Sequence, residues 1–391
     1  MYWFIPLIIF VGLIPVKLLT GTRWKTIIWT AIFSAVLTAV TIYIDFRIET
    51  WDTEVWSGKV TDWHHKEEWD EWHPPRKSCS KDSNGKEKCT RHSGYWEHHK
   101  AENSIYTTDD GWIRVYRAPD GSTFGDSWPN NTATLKWFWP YGTPSASTHH
   151  YMNKVQASYS IFRHKDIDVE QYSDLPEYPK VVLNYIDVNR IIGQVPNKAK
   201  ALRMLASMNT ELNKPVPNSE KPGKTKSWKQ VNLIFVNVGL NKTQDYGFAL
   251  QDKWEGGNKN DFVVAFSTNE NNELLWVYPF SWSEVELLKI EVRDYMMSVH
   301  QITDFVPIVK KVGNLVAARF VRKSFSDFDY LQIDISLGGW VSICALNLML
   351  VGLYCQNVME QKKRTTASGA GSYRLDVASP LQPSFSEESN V

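Results

Sequence analysis

The chain is poor in cysteine, with four in 391 residues, and has no excess charge of either sign, with 43 Lys plus Arg set against 43 Asp plus Glu. Without a net positive field there is nothing to draw phosphate backbones, so a general nucleic-acid binder is excluded. No C-x-x-C, H-E-x-x-H, G-x-S-x-G or strand-preceded G-x-G-x-x-G occurs, and the redox, metalloprotease, hydrolase and dinucleotide signatures that those spacings carry are missing. Gly223-Lys-Thr225 lacks the earlier glycine of a phosphate loop, because that position holds Asn218. Past residue 164 the sole histidine is His300, which leaves a His-dependent triad little to draw on in that half.

What is abundant is aromatic residues, 13% of the chain including 18 Trp, and the mean hydropathy of −0.35 conceals a segregated sequence. Three windows, residues 2–19, 27–44 and 337–355, are almost purely apolar, each close to the ~20 residues that span ~30 Å of hydrocarbon as a helix. Lys17, Arg23 and Lys25 lie in or beside the connector between the first two windows, and Lys362, Lys363 and Arg364 follow the third. The positive-inside rule then predicts one topology from both clusters: N-terminus outside, a large domain outside the cytoplasm, C-terminus cytoplasmic. The expected fold class is a membrane protein with three transmembrane helices and an α+β extracytoplasmic domain. Its divisions are 1–46 (two transmembrane helices), 47–155 (Trp-rich and β-rich), 156–336 (α/β), 337–355 (third transmembrane helix) and 356–391 (disordered cytoplasmic tail). Asn347, polar within the third window, is expected to hydrogen-bond another helix, either of a second copy or of the same chain.

Between 51 and 100, Trp51, Trp56, Trp63, Trp69, Trp72 and Trp96 are interleaved with charge and with six His. Two readings stand: indoles at the membrane interface, or a small β unit with cross-strand aromatic pairs, the alternation over 54–63 favouring the second. Cys79 and Cys89 lie equidistant from Asn84, which with Gly85 is a strong hairpin-turn signal, and this predicts a disulfide across antiparallel strands. The rival is a zinc site using His73, Cys79, Cys89 and His92, with His98 or His99 as a further ligand, whose ligand spacing matches no regular zinc signature. Short aromatic strands are expected at 111–117 and 135–139, and N-x-S/T sequons occur at Asn130 and Asn241.

After residue 187 the pattern becomes helix and strand. An amphipathic helix is expected over 199–212, then a polar Pro- and Lys-rich linker over 213–229, strands at 230–238, 261–268 and 273–278, and a helix at 244–254. Ser283 with Glu286 reads as a capping box opening a helix over 283–300, with another over 304–323. The order β-α-β-β-α, with Asp252-Lys-Trp254 closing a helix and the loop Gly256-Gly-Asn-Lys-Asn-Asp261 leading into a hydrophobic strand, resembles the core of the TPM-domain family over 231–278. The chain departs from that family at 277–282, where Val-Tyr-Pro-Phe-Ser-Trp replaces its Gly-rich acidic turn. The resemblance implies a membrane-tethered α/β module displayed outside the cytoplasm, of the kind implicated in photosystem repair, receptor modulation or phosphatase activity. It also implies that Asp252 and Asp261 flank a loop able to hold Ca²⁺; the alternative is that Asp252 is an exposed helix acid and Asp261 a turn residue.

The expected function is non-catalytic. The external domain binds or scaffolds another envelope or membrane component, with the lipid bilayer and a second copy of the chain as further partners and no nucleic acid. The alternatives are a membrane-anchored, metal-dependent phosphoester hydrolase and a metal or redox sensor built on the Cys79 to His99 region.

Overall fold

The structure, a computed structural model, describes residues 4–21, 23–81, 85–119, 131–158, 162–179, 188–219, 221–324, 326–331 and 333–370. The chain divides into two compact units, residues 50–333 and the two flanking arms taken together.

The arms supply α1 (Phe4–Thr20) and α2 (Trp24–Glu49) from one end and one further helix (Leu337–Ala370) from the other. Gly21, at φ +70°, closes α1 by donating its N–H to the Lys17 carbonyl, the left-handed cap that glycine adopts without strain. By length and apolar composition α2 and the C-terminal helix can each cross a membrane, whereas α1 is shorter. The C-terminal helix passes well beyond residue 355, so part of the expected tail is helical, and residues 371–391 lie outside the described residues. Asn347 accepts from Ser34 Oγ at 2.6 Å and donates to Thr38 Oγ1 at 3.2 Å, so its partners are on α2 of the same chain. Asp45 accepts from the backbone N–H and hydroxyl of Ser336, whose own Oγ receives the Gly339 N–H at the helix start.

Residues 50–333 open with β1 (Trp51–Lys66), long enough to serve two partners. The strands that follow are β2 (Trp69–His73), β3 (Arg76–Lys81), β4 (Glu87–His92), β5 (Tyr95–His99), β6 (Glu102–Thr107) and β7 (Gly111–Arg114), then α3 (Thr132–Phe138), β8 (Pro144–Met152) and α4 (Lys154–Ala157). The first half of β1 pairs with β8 and the second half with β6, giving the antiparallel order β7-β6-β1-β8. Val60, Ile105 and Ile113 of this sheet form a buried cluster with Val115 and with Leu135 and Trp139 from α3 and its cap. The strand expected at 135–139 is instead the end of helix α3 and its cap. Asn131 accepts from the Thr134 N–H at the helix start, and the two buried residues Leu135 and Trp139 are four apart, a helical rather than an alternating spacing. Most of the turn signals between 119 and 131, Asn130 included, lie outside the described residues.

β2 pairs with β5 and β3 with β4, making an antiparallel ribbon broken at Pro74-Pro75 and at Ser93-Gly94. A side chain at position 94 would enter the Trp72 ring, so the aromatic face can close only over glycine. Cys79 and Cys89 stand directly opposite in register and are joined by a disulfide; Gly85, between them in sequence, has φ +78°, and Asn84 lies outside the described residues.

The remainder comprises β9 (Ile191–Ile192), α5 (Lys198–Leu212), β10 (Pro215–Pro217), β11 (Thr225–Ser227), β12 (Asn232–Leu240), α6 (Asp245–Lys253), β13 (Asp261–Thr268), β14 (Leu274–Ser281), α7 (Glu286–Val299) and α8 (Val306–Arg319). Counting the C-terminal helix as α9 completes the series. β9, β12 and β13 are parallel and β14 closes the sheet antiparallel, in the order β14-β13-β12-β9. The apolar runs of β12 and β13 are buried on both faces, as a parallel strand between helical layers requires. Phe235, Phe262 and Phe266 pack with Phe305 and Leu205 on one face. Ile234, Val236, Val263 and Ala265 pack with Leu250 and Trp254 on the other. The Lys-rich segment expected to be a linker folds into the small β10–β11 hairpin. Helix α7 begins at Glu286 rather than at Ser283: the Ser283 Oγ accepts from the Val285 N–H at 3.2 Å, two residues on, while residues 283–284 are paired by backbone with Val321 and Arg322 and so stand outside the helix.

Candidate functional site

The lining residues of the cleft come from five segments: the start of β1, the end of β8, the strand and turn 226–230, the loop before β13, and the segment 320–324 that leaves α8. They enclose ≈ 780 Å³, within the range of small-ligand sites. Five cations line it, Lys226, Lys229, Lys259, Arg322 and Lys323, against one carboxylate, Glu54.

Glu54 is buried and both of its oxygens are engaged. Oε2 accepts from Arg322 Nη2 at 2.6 Å and Oε1 from Trp56 Nε1 at 2.7 Å. The guanidinium is held from its other side by Gln230 Oε1 at 3.1 Å, so its plane is fixed across the floor of the cleft. Trp56 stacks on His149 with centroids 3.9 Å apart, which immobilises the indole. Lys229 donates to the Phe320 carbonyl at 3.1 Å, and burial lowers its pKa below the ordinary lysine value. Lys259 is set by its backbone: its N–H donates to Tyr151 Oη, which itself donates to Asp52, and the neighbouring Asn260 amide donates to the Val55 carbonyl. Burial and then the Arg322 charge push the Lys259 ammonium down to about 8, against the opposing pull of Glu54 and Asp327. Trp228, flanked by Lys214 and Lys229, adds an aromatic wall. Among the described residues that line the cleft the cations outnumber the one carboxylate, which is neutralised internally, and this makes it an anion-receiving surface.

The residues singled out from the sequence occupy other places. Both oxygens of Asp252 accept from His164, one from its backbone N–H and one opposite Nδ1 at 2.9 Å. Asp261 is fully buried at the start of β13. It accepts from Asn232 Nδ2 at 2.9 Å, the Asn258 N–H at 2.8 Å and Tyr178 Oη at 3.2 Å. Burial outweighs those three donors and raises its pKa to about 7. His73 lies 2.9 Å from Glu97 in the ribbon, and His92 is exposed opposite Arg76. Among the described residues one group of three metal-type ligand atoms lies within 4.8 Å of one another, Cys79, Glu87 and Cys89, and both sulfurs are already spent in the disulfide.

The cleft itself escapes motif reading because its charges come from positions as far apart as 54 and 322. The one local signal was the density of lysine over 221–229. Comparison with family models, curated proteins and solved structures finds no match to this chain.

Proposed function

We propose that this chain is a membrane-anchored binding protein whose 50–333 unit, held outside the cytoplasm, receives an anionic ligand, a phosphate- or carboxylate-bearing group of an envelope component. The observation that carries this reading is the cleft with five cations and a single, internally paired acid. In this reading α1, α2 and α9 are three membrane spans, and the basic residues flanking them keep the connector after α1 and the C-terminus in the cytoplasm. The β12-α6-β13-β14 order supports a TPM-type displayed module over 231–278. The non-catalytic reading is preferred to the hydrolase because Asp252 and Asp261 are buried and each is occupied by its own protein donors.

The test is binding of inorganic pyrophosphate to the full chain in detergent or nanodiscs. Charge reversal of the two peripheral cations, Lys226→Glu with Lys323→Glu, is expected to weaken binding at least tenfold, and rising salt to weaken it in the unaltered protein. Equal affinity in variant and parent, or no saturable anion binding, would sink the proposal.

A further inference from the structure

The two strands of the β3–β4 hairpin carry five cations, Arg76, Lys77 and Lys81 on one and Lys88 and Arg91 on the other, against the single carboxylate Glu87. Every residue of both strands is exposed. Among the described residues none of the five cations has an ion pair, a side-chain hydrogen bond or a ring contact. Alternation puts Lys77, Lys81 and Arg91 on one face with the disulfide and Arg76 and Lys88 on the other, so both faces are positive. Lys77 stands directly opposite Arg91, and like charges so placed destabilise a strand pair. A two-stranded hairpin is marginal in water by itself; here the Cys79–Cys89 bond, two positions on, holds the register against that repulsion.

The β2–β5 stem of the same ribbon bares indoles. Trp72 and Trp96 are opposite in register with ring centroids 5.2 Å apart, yet they remain 46% and 66% exposed, and Tyr95 beside them is exposed as well. The acids of the stem are matched within it: Asp70 lies 2.8 Å from His98, Glu97 2.9 Å from His73 and Glu71 3.2 Å from His99. The cations of the tip have no such match. Unpaired cations and bared indoles thus share one stapled element. These are the residue types that settle at a headgroup boundary, ammonium and guanidinium groups on lipid phosphates and indoles with the ring in apolar surroundings and the N–H wet.

We propose that this ribbon is a docking element for an anionic lipid surface, with the tip cations on headgroup phosphates and Trp72 and Trp96 at the interface. The tip is a lone strand pair, positive on both faces and exposed throughout. Such a shape suits an extended charged plane better than a protein partner that must fit one face. The element is separate from the anion cleft, with which it shares no lining residue.

The experiment is flotation of the full chain, held in nanodiscs of phosphatidylcholine so that its own bilayer has no net charge, with vesicles of two parts phosphatidylcholine to one part phosphatidylglycerol. Co-flotation with these vesicles, absent with pure phosphatidylcholine vesicles and reversed by salt, is expected. A basic residue near an anionic lipid surface strengthens attachment about fivefold, so Lys77→Gln with Arg91→Gln should weaken it at least tenfold. Trp72→Ser with Trp96→Ser should also weaken it while leaving its salt dependence intact. Lys226→Glu with Lys323→Glu, altered in the anion cleft, should co-float as the parent does; loss of flotation there, with the ribbon variants unaffected, would move the lipid contact to the cleft and overturn the proposal. Disulfide formation by mass checks that the ribbon closes in each variant. Absence of co-flotation, equal flotation of the Lys77→Gln, Arg91→Gln variant with its disulfide formed, or equal flotation with uncharged vesicles would each overturn it. Binding to soluble polyglutamate without co-flotation would replace the lipid surface by an acidic protein.

Discussion

Arg322 donates to Glu54 at 2.6 Å across 268 residues of sequence, with both side chains largely withdrawn from solvent. The pair ties the first strand of the antiparallel sheet to the segment that leaves α8. Removing one partner strands a buried charge, a loss of about 3–5 kcal/mol. Glu54→Ala and Arg322→Ala are each expected to lower the unfolding free energy by that order, and the double variant to lose clearly less than their sum. Denaturant titration of all four proteins checks this; strict additivity would show that the two side chains act independently.

Asp261 makes stability depend on pH in an unusual direction. Its native pKa of about 7 lies above the ~3.9 of an unfolded aspartate. Between those values the native state holds a proton that the unfolded chain has released, so stability from this group falls as pH rises from about 4 to about 7 and is level above. Asp261→Asn should remove that slope. Midpoints measured from pH 4 to 8 on parent and variant should differ by a curve that flattens near 7; parallel curves would contradict the assignment.

Much of this architecture is legible in the residues. The apolar runs of β12 and β13 announce buried parallel strands, and the Asn-Gly turn with equidistant cysteines announces the β3–β4 register. Helix α3 is not legible, because Leu135-Lys-Trp-Phe-Trp139 has strand-like composition while its burial follows a spacing of four. Nor is the cleft: Lys229 and Arg322 are ordinary surface-type residues until folding sets them beside Glu54. The capping box at Ser283 fails for a related reason, since backbone pairing with Val321 and Arg322, distant in sequence, holds residues 283–284 out of the helix.

The disulfide is expected to act locally. Its short loop, with a sequence separation of 10, limits the gain to about 2–3 kcal/mol, and the strands it joins are exposed along their whole length. Cys79→Ser with Cys89→Ser should speed proteolysis within 76–92 by an order of magnitude while leaving the melting of the β12–β13 core unchanged. A matching fall in the global midpoint would mean that the ribbon and the core unfold together.

Asn347 offers the corresponding test within the helical unit. Its amide is shared between Ser34 and Thr38 of α2, all three buried. Hydrogen bonds between helices in an apolar surround contribute about 0.6–1.7 kcal/mol, and Asn347→Leu also strands two hydroxyls. Those hydroxyls can turn back to carbonyls of their own helix, as Thr30 and Thr41 already do, so the net loss should stay near 1 kcal/mol. An SDS-unfolding titration should register that modest shift for Asn347→Leu and a smaller one for Ser34→Ala. A loss several times larger would mean that the hydroxyls find no substitute partner, and no loss would mean that packing alone holds α2 to α9.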